Sequence, residues 1–229
     1  MNTRTIPHLL SALCWLMTTG LLLTACSKSE EFVYIDENED GTLTITVTDE
    51  HGTNTSLAAG SGLGVYVVNG DGTVTSRQVV VDENGQAVLS TSAAANSRIV
   101  VYTPFQAAWG ADALSVAQEF RVQEDQSAVS GYEDSDLMIG LWDPATATDR
   151  TMALRHVMSK LTVHIIDDTG RVNLKDISAQ VRDVNTSVLV QLWEASVTTV
   201  PEVRSDVQML PECTTDWRIS FYAILAPQT

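Results

Sequence analysis

LGVYVV at Leu63–Val68, NGDG at Asn69–Gly72 and TVTSRQVVV at Thr73–Val81 decide the fold. Two runs rich in β-branched residues flank a turn, and Asn-Gly and Asp-Gly supply the positive φ angles that tight hairpins need. The stretch therefore predicts a β-hairpin. Upstream, Leu43, Ile45 and Val47 alternate with Thr44, Thr46 and Thr48, the period of a half-buried strand. Downstream, DENG at Asp82–Gly85 leads into Gln86–Ser90, and Arg98–Tyr102 is another short apolar run, stopped by Pro104. In the second half Met158–Ile166 alternates, with Leu161, Val163 and Ile165 on one face, and DDTG at Asp167–Gly170 reads as a turn. Val172–Val184, Ser187–Trp193 and Trp217–Leu225 are further strand candidates. Ala111–Phe120 is a modest helix candidate with weak apolar spacing, and no internal repeat is present. Strands at spacings of roughly 8–12 residues, separated by Gly/Asn/Asp turns, predict an all-β antiparallel sandwich or barrel.

The N-terminus predicts where this fold is held. Arg4 precedes an apolar run from Leu9 to Leu23, which ends in Leu23-Thr24-Ala25-Cys26. A basic residue, a short apolar segment, small residues and a cysteine form a bacterial lipoprotein signal. Cleavage between Ala25 and Cys26 leaves Cys26 to carry fatty acyl chains, which tether the rest to a membrane surface. An uncleaved transmembrane helix is the other reading, but the run of about 15 apolar residues is shorter than the roughly 20 that span a bilayer. Residues 26–41 are polar and acidic and read as a tether. Within them Asp36, Asn38, Asp40 and Gly41 imitate the start of a calcium loop. The position that should close it with a carboxylate is Val47, so a solvated acidic linker is preferred and no metal is assigned. The pair Glu30-Glu31 reads either as an export signal or as a plain spacer.

Of the three cysteines, Cys14 leaves with the signal and Cys26 is acylated. Cys213 is then alone, so the mature chain forms no internal disulfide, and a packed core must supply its stability. Residues 26–229 carry 12 Lys plus Arg against 29 Asp plus Glu, a net charge of −17. Such a surface repels phosphate backbones, so nucleic acid is not an expected partner.

No catalytic constellation stands out, and neither enzyme activity nor a cofactor is expected. G-x-S-x-G, H-E-x-x-H and P-loop patterns are absent. His156 and His164 lie eight residues apart on one strand candidate, about 26 Å along an extended chain, too far for one metal. Both read as hydrogen-bonded strand residues, and His51, after the first strand, reads as lying in a turn. Asp134 and Asp136 could pair as carboxylates across one strand face, and a solvated loop is the plainer reading. Trp109, Trp142, Trp193 and Trp217 are dispersed. Core burial is the first expectation for them, and a sugar-stacking surface is the second.

Several segments resemble a known family. Val101-Tyr102-Thr103-Pro104-Phe105, Asp125-Gln126-Ser127 and Ser135-Asp136-Leu137-Met138 occur in the order seen in the fimbrillin-like lipoproteins of Bacteroides-type bacteria. His156-Val157-Met158-Ser159-Lys160-Leu161 is similar to that family's "HxxSKL" strand, and Ala223–Gln228 to its "PQ" segment. The resemblance spans about residues 40–229.

The resemblance implies two transthyretin-like antiparallel β-sandwich domains, expected at 42–149 and 150–229, behind a signal at 1–25 and the tether at 26–41. It implies a surface lipoprotein of the outer membrane or fimbrium, acting as a stalk, anchor or tip subunit of type V pili. Its partners would be other fimbrial subunits and ligands on host or bacterial surfaces. Assembly by strand exchange would make Leu43, Ile45 and Val47 a removable plug. No arginine lies between Cys26 and Arg77, and Lys28 is the only lysine there, so arginine-specific removal of that strand is not expected and a retained lipid favours an anchor. About four strand candidates follow residue 150, where a sandwich has about seven. The second domain is therefore expected to be incomplete. A fragment of a longer protein is the favoured reason; a shortened gene or a domain awaiting a partner's strand are the others. A glycan-binding lipoprotein of a polysaccharide uptake system, using exposed tryptophans, is the alternative function.

Overall fold

The computed structural model describes residues 42–48, 59–83, 87–90, 97–143, 151–170, 173–215 and 217–228, all within one compact unit, Ile35–Thr229. The fold is all-β. The opening hairpin forms as expected. β2 (Gly62–Val68) and β3 (Val74–Val80) pair antiparallel in register from Gly62↔Val80 to Val68↔Val74. The turn between them closes with Gly72 at φ +84° and with the Asp71 carboxylate accepting from the Thr73 amide and hydroxyl. β5 (Arg98–Thr103) joins the other side of β2, followed by β7 (Met138–Trp142) and the short β9 (Arg155–His156). The result is a central five-stranded sheet, ordered β3-β2-β5-β7-β9.

Each face of this sheet is covered by another layer. On one side lies an outer sheet of β4 (Ala87–Ser90), β1 (Thr42–Thr48) and β8 (Thr151–Ala153). Leu63, Val65, Val67, Ile99, Val101 and Trp142 meet Ala87, Met152 and Leu154 there, in what we call the outer core. On the other side lies a cross sheet of β13 (Ser196–Thr199), β12 (Ser187–Gln191) and β6 (Gln118–Arg121). Tyr66, Val100, Tyr102 and Ile139 face Phe120, Val188, Val190 and Leu192 in the cross core. Burial on both faces explains why β2 and β5 read as continuous apolar runs rather than alternating ones.

A further sandwich follows. β10 (Ser159–Ile166), β16 (Arg218–Leu225) and β15 (Leu210–Thr215) form one sheet, and β11 (Gln180–Asn185) pairs with β14 (Arg204–Gln208) in the other. Val184, Val207, Ile219, Phe221 and Ala223 fill the far core between them. The expected domain boundary falls in residues 144–150, outside the described residues. The cross sheet takes strands from both sides of it, because β6 pairs with β12 from Arg121↔Ser187 to Gln118↔Val190.

Four expectations about elements need correction. The helix expected at Ala111–Phe120 is a single 3-10 turn, Ala111–Leu114, followed by strand β6, because the buried residues Ala113 and Leu114 are neighbours rather than a helical stripe. The strand expected from Val172 begins only at Gln180, after a 3-10 turn at Leu174–Asp176. Ser187–Trp193 ends as a strand at Gln191, and Leu192–Glu194 turns over. Among the described residues nine strands, β8 to β16, follow residue 150 instead of about four, because β8 and β9 are very short and β13 to β15 are polar or contain proline. A five-residue helix, α1 (Val129–Glu133), completes the described elements.

Candidate functional site

The expected exchange strand is β1, and it is the middle strand of the outer sheet. Thr42–Ile45 pair antiparallel with β4, placing Leu43 opposite Leu89 and Ile45 opposite Ala87. Thr46–Thr48 pair parallel with β8, placing Val47 opposite Met152. Ala87 and Met152 are each 2% exposed in the outer core. β1 thus has a main-chain partner for each half, β4 along Thr42–Ile45 and β8 along Thr46–Thr48. The two partners offer ladder hydrogen bonds to any strand that takes this place. Ala25, Cys26, Glu30, Glu31 and the Asp36–Gly41 calcium-like run lie outside the described residues. Among the described residues no helix is long and apolar enough to cross a membrane.

The motifs quoted above converge elsewhere, on a joint between the cross core and the far sandwich. Gln126 is fully buried. Its Nε2 donates to the Ile224 carbonyl at 2.7 Å and to the Gln123 carbonyl at 3.1 Å, and its Oε1 accepts from the Ile224 amide at 2.8 Å. The side-chain amide thereby pairs with β16 as a peptide group would. Asp125 orders the approach by accepting from the Ser127 hydroxyl at 2.6 Å and amide at 3.0 Å, which holds its carboxyl below the usual range. Ser135, also fully buried, donates to the Gly131 carbonyl and accepts from the Gln123 amide. Lys160 sits 5.0 Å from the Tyr222 ring and 6.0 Å from Tyr132. Gln228 donates to the Asn185 carbonyl and accepts from its amide, and Thr199 donates to the Pro227 carbonyl.

Aromatic packing joins the YTPF segment to the same region. The Tyr66 and Tyr102 rings stack with centroids 6.0 Å apart, and Tyr102 lies 4.8 Å from Trp109. The Tyr66 hydroxyl donates to the carbonyls of Trp109 and Gly110, and burial with Tyr102 alongside pushes its pKa far up. These are core positions.

The dispersed candidates stay apart. His156 and His164 occupy different strands in different sheets, β9 and β10. His156 Nδ1 is 2.9 Å from Asp136, and His164 Nδ1 is 2.8 Å from the Ser220 hydroxyl. Asp134 caps the C-terminus of α1 while Asp136 pairs with His156, so the two carboxylates share no strand face. Among the described residues no group of three His, Cys, Asp or Glu could hold a metal. Trp109 and Trp142 are buried in different cores, at 8% and 9% exposure, which removes them as sugar platforms. Trp193 and Trp217 remain exposed at 39% and 53%, and Trp193 carries the Arg98 guanidinium 4.6 Å above its ring. Gln126 and Arg98 escaped the sequence reading as contacts, since the partner of each is distant in the chain.

No protein-family model matches this chain, and no curated protein matches it in sequence. Solved structures do match. A candidate cell-adhesion protein of Bacteroides ovatus ATCC 8483 aligns with a TM-score of 0.56 and 12% identity, over 82% of this chain and 77% of that one. The two proteins share a fold. A fimbrial protein of the same organism aligns with a TM-score of 0.44 and 13% identity, over 81% of this chain and 41% of its own length. The fimbrial anchor protein Mfa2 of Porphyromonas gingivalis aligns with a TM-score of 0.36 and 10% identity, over 82% and 74%.

Proposed function

We propose that this chain is a fimbrillin-like surface lipoprotein, anchored through Cys26 in the outer membrane, that takes part in pilus assembly or anchoring and through it in adhesion. The observation that carries the reading is the double pairing of β1, its first half with β4 and its second half with β8. Withdrawal of β1 would leave an edge of β4 and an edge of β8 unpaired, and unpaired edges are what β-augmentation by another subunit requires. The shared fold with a candidate cell-adhesion protein supports the same class of function. The absence of arginine between Cys26 and Arg77 favours a subunit that keeps its lipid, and hence an anchoring position.

Two measurements test this. Replacing Cys26 with Ala should move the protein out of the outer-membrane fraction of fractionated cells; unchanged partitioning would remove the lipid anchor from the reading. Exchanged strands separate slowly, so unboiled cell extracts should show SDS-resistant ladders containing this chain. A monomer band alone, with no co-migrating fimbrial subunit, would remove the assembly role.

A further inference from the structure

The cross core and the far core are not independent bodies. The far sandwich sends β12 and β13 into the cross sheet, where Val188, Val190 and Leu192 are fully buried. β16 then crosses in the same direction. Its Ile219, Phe221, Ala223 and Leu225 fill the far core, while Ile224 and Ala226 belong to the cross core. One strand therefore contributes to two cores, one from each face, and Ile224 is its buried residue on the cross-core face.

Gln126 grips that residue. Both main-chain groups of Ile224 are bonded to its side chain, at 2.7 and 2.8 Å. Its own amide donates to the Gln208 carbonyl at the end of β14, and the Gln208 amide donates to the Glu124 carbonyl. The segment 124–126 thus holds β14 by its backbone and β16 by a side chain. We infer that Gln126 is a coupling latch that makes the two cores unfold, and resist pulling, as one body. The latch works because a primary amide presents one donor and one acceptor with the spacing of a peptide unit, in a site closed to water. Losing it strands the buried N–H and C=O of Ile224.

Calorimetry with residue-resolved hydrogen exchange tests this on the whole protein. The wild type should melt in one transition. Gln126→Ala should split it into two, about 5 °C or more apart, and should speed exchange of the Ile224 amide about tenfold while the Phe221 amide stays protected. Gln126→Glu covers the case in which the alanine variant fails to fold. A protonated carboxyl can donate to one group of Ile224 and accept from the other, whereas an ionised one cannot donate. Burial raises the pKa of that carboxyl, so this variant should melt as one body near about pH 4 and as two near about pH 8. The wild type should melt as one at both. Two transitions in the wild type, a single transition with a protected Ile224 amide in Gln126→Ala, or a Gln126→Glu melting profile that is the same at both pH values would each overturn the inference.

Discussion

Gly64 lies directly under the Tyr102 ring: a Cβ built on Gly64 would stand 2.0 Å from Tyr102 Cε1. The two residues are cross-strand partners on β2 and β5, so the absence of a side chain on one makes room for the ring of the other. Tyr102 cannot withdraw easily, because it is 1% exposed and wedged between Tyr66 and Trp109. Gly64→Ala should therefore destabilise the protein by about 1–3 kcal/mol or more through overpacking, read as a lower denaturant midpoint. A loss below about 0.5 kcal/mol would mean that the ring can shift, and that this stack does not hold the cross core rigid.

β12 supplies an internal control for the claim that the second half of the chain completes the first half's core. Val188, Val190 and Leu192 are fully buried, while Leu189 points outward at 41% exposure. Leu192→Ala should cost about 2–5 kcal/mol by loss of apolar transfer and creation of a cavity. Leu189→Ala should stay within about 0.5 kcal/mol, as surface changes do. Urea unfolding of both variants checks the pair. Equal costs would show that the burial pattern along β12 and the turn after it is not the one described.

What the sequence disclosed follows from how local each signal is. The β2–β3 hairpin was legible because both strands, the turn residues and the turn's own hydrogen bonds lie within 62–80. β16 was legible because RISFYAIL is apolar enough to be buried on both faces. β6 was not, because QEFR has one apolar residue and its partner strand is about as far off as Ser187 is from Glu119, 68 residues. The same holds for the joint. Gln126 was visible only as part of a three-residue motif, and its grip on Ile224 spans 98 residues. The exchange strand lies between these cases. Its alternation marked β1 as a strand, but its central place in the outer sheet depends on β8, a three-residue strand with no signature of its own.

Alkaline pH should weaken the joint by a predictable sign. Burial, with Asp136 and Tyr222 adding to it, pushes the Tyr132 phenol up to about 12. In the unfolded chain it titrates near 10. A folded pKa above the unfolded one means that the stabilisation is fully present below about pH 10 and is lost as pH rises towards about 12. Tyr132→Phe removes this group from the titration. The variant should therefore show a shallower fall in urea midpoint than the wild type between about pH 10 and 12. Parallel falls would place the alkaline sensitivity elsewhere.

The tryptophans separate the two functional readings. Trp109 and Trp142 are held in the cross and outer cores, so a polar quencher such as iodide should leave their emission nearly untouched. Trp193 and Trp217 should account for the quenchable fraction, with Trp217 more accessible at 53% exposure against 39%. Trp193→Phe and Trp217→Phe, made singly and together, should reduce that fraction stepwise. The same variants bear on glycan capture, because aromatic rings must be exposed to stack on sugars. If a polysaccharide panel gives binding that the double variant abolishes while outer-membrane partitioning is unchanged, the glycan-capture reading gains over the pilus one. If the panel gives no binding, the exposed rings are left as surface features of a scaffold whose recognition runs along its strands. For Trp193 that second outcome is the expected one, since Arg98 occupies one face of its ring at 4.6 Å while bound to Asp143 at 2.8 Å.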